Sequence, residues 1–452
     1  MQRSLSRRKG AAFVLGVSAG LVAASVAHAG SEPPDGTGDG GGEIVQCGYA
    51  PSDTVGGDLA GFGGTTPYGQ ITDQFITEVC EVDPNLEDFN YAAETYDAVT
   101  VIALAVESAG TDGIEYASHI VDVTREGEKC SSFAECRDLL ADGADIDYDG
   151  ASGPIELDGN GDPTQVSYAL LKMGDNNRID PALTEFITAG DGQKTQENDP
   201  VEGEREGDGV LTIGSLLPQT GSLAFLGPPE FAGFDLAVAD INAAGGVLGN
   251  DVVGLAGDSG DTSTNQADQT VDRHLAENAD AIVGAASSSV TLTVIDKITS
   301  AGVVMFSPAN TSTDLSDYPD RGLYFRTAPP DVYQGDVIGQ FIINDGHQSV
   351  ALMNLNDSYG NSLAAQAIET IEESGGEVVA HVVYDPAATS FDSEVGQLAA
   401  ADADAIWLCG FNESSRILRS MVEQGIGPQD VPMYGCDGNI GNALGADYDA
   451  GQ

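Results

Sequence analysis

From residue 210 onward, short apolar runs alternate with longer stretches whose apolar positions recur every three or four residues. Runs at Val210–Leu216, Val252–Leu255, Ala281–Val283, Val303–Phe306, Ser349–Leu355, Val378–Val383, Ala405–Leu408 and Pro432–Tyr434 have the length of buried strands. Between most of them lie helical patterns. Phe231, Phe234, Val238 and Ile241 sit at helical spacing over Pro228–Ala244, and Gly245-Gly246 follows, as glycine commonly does past a helix C-terminus. Ser362–Ser374 and Glu413–Gln424 repeat the pattern. Strands alternating with helices imply parallel sheets covered on both faces, and so many strands point to two sheets rather than one.

Residues 44–180 have different content. Asn90–Ala109 predicts a long helix whose Ala98–Val106 stretch is apolar almost all round and therefore buried. Ile114–Val123 and Phe133–Leu140 predict shorter helices, and Gly153–Leu157 and Gln165–Leu171 predict strands. These strands are too few for a complete doubly wound domain, so the segment is expected to complete something else. Gly30–Glu43 and residues 181–209 separate the segments. Both are acidic, and Ala189–Gly209 carries seven acids against only Lys194 and Arg205. Both read as solvated linkers, the second spanning about 25 Å as a free coil.

Residues 1–29 have the form of a cleaved signal peptide. Arg3, Arg7, Arg8 and Lys9 precede the apolar run Ala11–Ala27, and Ala27-His28-Ala29 supplies a small-residue cleavage pattern. The run is marginal for spanning a bilayer. Ser6-Arg7-Arg8 is similar to a twin-arginine signal, and no cysteine stands at the cleavage point. The mature chain is expected to be exported and soluble. Export makes the six cysteines candidates for disulfides, with 15 conceivable pairings. Cys130 and Cys136 enclose a short loop and are the best local pair. Cys409 and Cys436, each near a strand end, could bridge, which leaves Cys47 with Cys80.

Charge narrows the function classes. The 452 residues hold 17 Lys+Arg against 72 Asp+Glu, a net −55. Such a balance argues against nucleic-acid binding and against docking on anionic lipid, both of which need basic faces. With 41% hydrophobic residues the chain can still bury a core, and 58 glycines with 6% aromatics suit an α/β protein with many short turns.

The candidate chemistry lies in the loops that follow the strands, where open α/β sheets bind ligands. Gly284–Ser289, Ser307–Ser312, Asn356–Gly360, Cys409–Glu413 and Gly435–Gly438 are small and polar within an otherwise apolar alternation. Each Ser, Thr, Asn or Asp there is accounted for singly as a helix cap. Five such loops in one run also fit a shared cleft, with hydroxyls and amides for a carboxylate and Asp437 for a cation. That combination describes a zwitterion such as an amino acid.

At these residues the sequence resembles the leucine/isoleucine/valine-binding proteins, type I periplasmic binding proteins that serve bacterial ABC importers. The run "LTIGSLLPQTGSLAFLGPPEFAGFDLAVADINAAGG" from Leu211, "VGAASSSVT" at 283–291, "FSPANTS" at 306–312, "DSYG" at 357–360 and "YGCDGN" at 434–439 follow the family's order. "NYAAETYDAV" at 90–99 and "GASGPIELDGNGDP" at 150–163 resemble its C-terminal portion. The portion that should come last thus comes first, and nothing appears twice. The order reads as a circular permutation closed by the acidic linker, or else as a truncated tandem array or misassembled gene.

The resemblance implies an α/β fold of two Rossmann-like lobes with parallel sheets, hinged as a clamshell. The chain divides into a signal peptide (1–29), a linker (30–43), a portion completing both lobes (44–180), a linker (181–209), a first lobe (210–328) and a second (329–452). Within the completing portion, Gly61–Ala141 is assigned to the first lobe and Gly150–Leu171 to the second. The resemblance places carboxylate-binding positions at Ser288, the Ala309 backbone and Thr311, and an ammonium-binding acid at Asp437, where the best-known members have Glu. Tyr359 matches a cleft tyrosine, and Phe411 and Leu226 stand where tyrosines are common, giving a more apolar pocket. The implied partners are an amino-acid ligand and the membrane permease subunits of an ABC importer, with no cofactor or metal and a monomeric state. The alternatives are a sensor or regulator of the same fold reading amides or amino acids, or a non-functional truncated or permuted relic.

Two motifs point elsewhere. Gly257-Asp258-Ser259-Gly260-Asp261 has the outline of a serine-protease nucleophile loop, but nothing pairs Ser259 with His119, His274, His347 or His381, which read as surface-helix or strand-edge residues. Asp158-Gly159-Asn160-Gly161-Asp162 begins like a calcium loop, yet Pro163 and Ala169 occupy positions that need Gly and Glu. A turn between strands is expected there.

Overall fold

The computed structural model describes residues 47, 52–67, 71–194 and 196–451; the expected signal peptide (1–29) and first linker (30–43) lie outside them. The leading half carries β1 (Gly63–Pro67), α1 (Asp73–Val82), α2 (Ala92–Ala109), β2 (Glu128–Cys130), α3 (Phe133–Ala141), β3 (Ile146–Gly150), β4 (Gly153–Pro154), β5 (Gln165–Lys172) and β6 (Glu185–Gly190). The alternation follows as β7 (Thr212–Leu216), α4 (Gly227–Ala243), β8 (Val253–Leu255), α5 (Gln266–Ala276), β9 (Ala281–Gly284), α6 (Ser288–Ser300), β10 (Val304–Ser307) and β11 (Tyr324–Arg326). It continues as α7 (Asp331–Asn344), β12 (Ser349–Leu355), α8 (Ser358–Glu373), β13 (Glu377–Tyr384), α9 (Asp392–Ala401), β14 (Ala405–Cys409), α10 (Ser414–Glu423), β15 (Met433–Gly435) and α11 (Asn442–Ala450).

Two sheets carry two lobes. The first is a five-stranded parallel sheet in the order β11-β10-β9-β7-β8. The second has seven strands in the order β13-β12-β14-β15-β1-β5-β6, parallel as far as β1 and antiparallel beyond it. A three-stranded sheet, β2-β3-β4, flanks the first lobe.

Beside its own α4, α5 and α6, the sheet of residues 210–326 is covered by α2 from the leading half. Ala98, Val99, Val101, Ile102, Leu104 and Val106 are all fully buried, in one core with Ile213, Val283, Phe306 and Ile241. Burying such side chains contributes roughly 1.5–3 kcal/mol each. Gly110, at φ 69°, ends the helix by donating its N–H to the Val106 carbonyl, a left-handed cap that glycine adopts without strain. The second lobe has its own core, in which Leu352, Trp407, Leu408, Ile417 and Met421 are fully buried.

Several expectations need correction. The strand β1 belongs to the second sheet, so the first-lobe part of the leading half does not begin at Gly61. In turn, Ile146, Tyr148, Ile155 and Leu157 pack in the first core, so the chain crosses to the second lobe between Leu157 and Gln165. The helix expected over Ile114–Val123 is a 3₁₀ turn over Ile114–His119. Beyond it Ile120, Val121 and Val123 are buried, and the Val123 carbonyl turns away to accept from the Tyr148 N–H at 2.9 Å. The strand expected over Gly153–Leu157 stops at Pro154, which has no N–H for a ladder. The linker expected from 181 opens with a 3₁₀ turn and β6, and its remainder is hydrogen-bonded along the protein surface while most of its described residues stay exposed. His274 lies on α5, which has an exposed face, but its side chain points inward and is fully buried, its Nε2 2.8 Å from the Ser215 carbonyl.

The cysteines form Cys47–Cys80 and Cys130–Cys136 disulfides. Cys409 and Cys436 do not bridge. Both are free thiols, fully buried at the ends of adjacent parallel strands. Among the described residues no helix is long and apolar enough to cross a membrane.

Candidate functional site

The C-terminal ends of both parallel sheets face one another. From the first come the loops after β9 and β10, and from the second those after β12, β14 and β15. Between them lies a cavity of about 280 Å³ whose lining includes Ser288, Ala309, Tyr359, Phe411 and Asp437. Thr311 does not line it. That residue lies buried just behind, its hydroxyl making no hydrogen bond.

On the first-lobe wall, Ser287 caps α6 by accepting from the Val290 N–H at 3.3 Å. Capping is therefore done by Ser287, and Ser288 is left for the cavity. Its Oγ accepts from the backbone N–H groups of Thr311 and Ser312, both at 3.3 Å, so its own proton stays available. The Ala309 N–H points at Ser307 Oγ, 3.3 Å away. Behind this loop stands Arg326, fully buried. It donates to the carbonyls of Asn310 (3.2 Å) and Ser312 (2.9 Å) and forks onto Asp162, Nε to Oδ1 at 2.6 Å and a terminal N–H to Oδ2 at 2.9 Å. A planar guanidinium suits this double duty, because its donors diverge at fixed angles. The Asp158–Asp162 stretch is indeed a turn, its last acid spent on Arg326.

The second-lobe wall centres on Asp437. Tyr359 donates to its Oδ1 and Tyr91 to its Oδ2, both at 2.6 Å. No Lys or Arg pairs with it among the described residues. Burial raises its carboxyl above the usual range, and the two phenols and Gln334 offset part of that. Tyr359 stacks on Phe411 with ring centroids 5.7 Å apart and planes 6° from parallel.

Three contributors escaped the sequence reading. Tyr91 reaches across from the N-cap of α2, held at φ 64°, a left-handed conformation unusual for a bulky residue. Leu223 lines the apolar side of the cavity together with Leu226. Asp331, at the start of α7, is fully buried with neither carboxyl oxygen hydrogen-bonded. Burial chiefly, with the nearby charge of Asp437 adding, pushes its carboxyl to about 8, while Thr311 and Ser362 pull against that. Its position after two prolines gave only a cap signal.

The lobes also touch at the rim. Ser289 Oγ donates to Asp357 Oδ2 at 3.1 Å and accepts from the Ser358 N–H at 3.1 Å, and Ser312 and Ser358 hydroxyls meet at 2.7 Å. The structure is therefore a closed clamshell, with two buried carboxyls lacking a cation beside two hydroxyls lacking an acceptor. Ser259, by contrast, lies outside the cavity and its hydroxyl bonds the adjacent Gly260 carbonyl.

Comparison with known proteins extends this picture. Residues 66–176 match the profile described as the receptor family ligand binding region. A Leu/Ile/Val-binding protein of Rhizobium johnstonii is 29% identical over 212 residues, which cover 46% of this chain and 56% of that protein. A leucine-, isoleucine-, valine-, threonine- and alanine-binding protein of Pseudomonas aeruginosa is 28% identical over 238 residues, 52% of this chain and 62% of its own. The matched stretch thus spans little more than half the length of these relatives. Among solved structures, the substrate-binding protein LivJ of Streptococcus pneumoniae, in complex with isoleucine, is 29% identical with a TM-score of 0.48, covering 53% of this chain and 68% of that one. The profile described as periplasmic binding protein runs through residues 210–452, more than half of the sequence and nearly all of the cavity's lining, and the chain belongs to that family.

Proposed function

We propose that this chain is the extracytoplasmic substrate-binding protein of an ABC importer, capturing a branched-chain or similar amino acid between its lobes. One observation carries the reading: Asp437 is a buried carboxyl without a cation, across the cavity from Ser288, whose hydroxyl only accepts and keeps its proton free. A zwitterion satisfies both sides at once. The ligand carboxylate would take the Ser288 hydroxyl and the backbone at Ala309, small rotations of the Ala309 loop freeing its N–H and bringing the Thr311 hydroxyl, just behind, within reach. The ammonium would lie toward Asp437 and Asp331, and the side chain against Leu223, Leu226 and Phe411. An aliphatic side chain suits these neighbours, since a hydroxyl placed there would be buried unpaired. The relatives named for leucine, isoleucine and valine support the same class.

Export fits the two disulfides, which persist in oxidising compartments. No catalytic step enters this reading, and the ligand would be released to permease subunits unchanged.

The chain order is part of the proposal. Residues 210–452 and 44–180 each lack strands or helices that the other supplies, and no element occurs twice, which supports a circular permutation. A chain rejoined in the reverse order, 210–452 before 44–180, should fold and bind the same ligand. Calorimetric titration of residues 30–452 with the common amino acids tests the function. Saturable heat with one or a few aliphatic amino acids is the expected result, and silence across the panel would overturn the ligand class.

A further inference from the structure

The segment 191–211 leaves β6 in the second sheet and enters β7 in the first. It is therefore a connection between the lobes, beside those at 68–72, 157–165 and 327–331. As a free coil it would impose nothing on a hinge, but it is bound along its length.

It starts against the neighbouring crossover. The N–H groups of Asp191 and Gly192 donate to the Thr164 carbonyl at 3.1 and 3.2 Å, and the Asp199 N–H donates to the Gly159 carbonyl at 2.8 Å. Arg125 ties the two together from below, donating to the carbonyls of both Gly192 and Leu157. A Cβ on Gly159 would lie 2.1 Å from the Glu197 carbonyl oxygen, so the strands of chain touch as closely as glycine permits. Farther on, the Glu202 N–H donates to the Arg321 carbonyl at 2.9 Å and the Ile114 N–H to the Arg205 carbonyl at 3.0 Å. Arg205 pairs with Asp280, and Asp112 accepts from the N–H groups of Asp208 and Gly209 at 3.1 and 2.8 Å.

From these contacts we infer that residues 191–209 act as a strap that restrains opening of the lobes. From Asp199 onward the strap is fastened to the first lobe, and at β6 it is part of the second. Only Gln193–Asn198 separate the Gly192 contact from the Asp199 contact, so there is little slack. Opening the clamshell must peel the strap from residues 157–164 or bend it over a few residues. Either way the wide-open states become less populated. For a receptor that holds its ligand only when closed, a larger closed fraction lowers the apparent dissociation constant in proportion. This regulation rests on the capture of a ligand proposed above; the restraint itself does not.

Two variants test it in the full chain. One inserts twelve Gly/Ser residues after Gln193, giving the strap slack without removing a contact. The other is Gly159→Ala, which pushes the Glu197 carbonyl away. Spin labels at Val253→Cys and Val383→Cys, exposed positions on edge strands of the two lobes, report the inter-lobe distance in ligand-free protein. Both variants are expected to give longer and broader distances than the unaltered strap, with scattering showing a larger radius of gyration. Distributions identical across all three proteins would overturn the strap. Leucine affinity, measured alongside, should fall at least about threefold in the spacer variant. If leucine binds none of the three proteins, the ligand reading fails while the distances still decide the strap.

Discussion

Tyr91 and Asp437 meet across the cleft, the phenol on the first lobe's long helix donating to the carboxylate of the second lobe at 2.6 Å. Together with Tyr359 on the other oxygen, it fixes the Asp437 carboxyl from both sides. Hydrogen bonds to a charged group are worth about 1.5–3 kcal/mol. Tyr91→Phe keeps the ring and should weaken amino-acid binding by at least about tenfold in calorimetry, with a nearly unchanged melting temperature.

Removing the acid itself goes further. Asp437→Ala leaves a buried ligand ammonium unpaired, and binding should lose at least about 2 kcal/mol. Wild-type affinity in that variant would place the ammonium elsewhere.

Stability should respond to pH through Glu94. Burial chiefly, then the charge of Asp97, pushes its carboxyl to about 8 against a backbone hydrogen bond that opposes the shift. The folded state therefore keeps a proton that the unfolded chain gives up near pH 4.5. The contribution of this group is fully present below about pH 4.5 and is lost as pH rises towards 8. Urea denaturation at pH 5.5 and 8 should show unliganded protein losing stability over that interval. In Glu94→Gln the loss should shrink by at least about 1 kcal/mol; an equal loss in both proteins rules Glu94 out as its source.

The buried pair Arg326–Asp162 holds the loop that carries Thr311. Arg326→Met strands Asp162 in the interior and should cost about 3–5 kcal/mol of stability. The double variant Arg326→Met/Asp162→Leu should recover much of that, which denaturant titration of the two can check.

The cysteines allow a direct count. Alkylation of native protein should modify none of them, because Cys409 and Cys436 are fully buried and the other four are paired. In denaturant without reductant, mass spectrometry should find two alkyl groups, both on Cys409 and Cys436.

The alternation beyond residue 210 was readable because apolar runs flanked by glycine and polar caps have few other uses. Ser349–Leu355 agrees to the residue, and the helices starting near Pro228 and Glu413 agree to within one or two. What escaped was structure made by distant partners. Gly63-Gly64-Thr65-Thr66-Pro67 has no strand pattern of its own and becomes one only between β15 and β5. Glu185–Gly190 sits on a sheet edge with Phe186 and Ile187 exposed, so it lacks the apolar–polar alternation that marks a half-buried strand. The cavity's second-lobe acid was legible from the loop after a strand, whereas Tyr91 and Asp331 come from helix starts whose neighbours only the tertiary fold reveals. Burial also decided the thiols: ends of adjacent strands bring Cys409 and Cys436 together without forcing a bond.

The pairing of β1 with β15, Gly63 opposite Tyr434, sets a timetable for synthesis. Some 370 residues separate the two strands, and at about 5–20 residues per second roughly 20–70 s pass between their emergence from a ribosome. Throughout that interval the centre of the second sheet is missing a neighbour on one side, and the antiparallel pair β5–β6 has only β1 to hold. The second lobe cannot mature piecemeal as its amino-terminal strands appear; it must wait for β15, a long contact order that favours slow, late and all-at-once assembly.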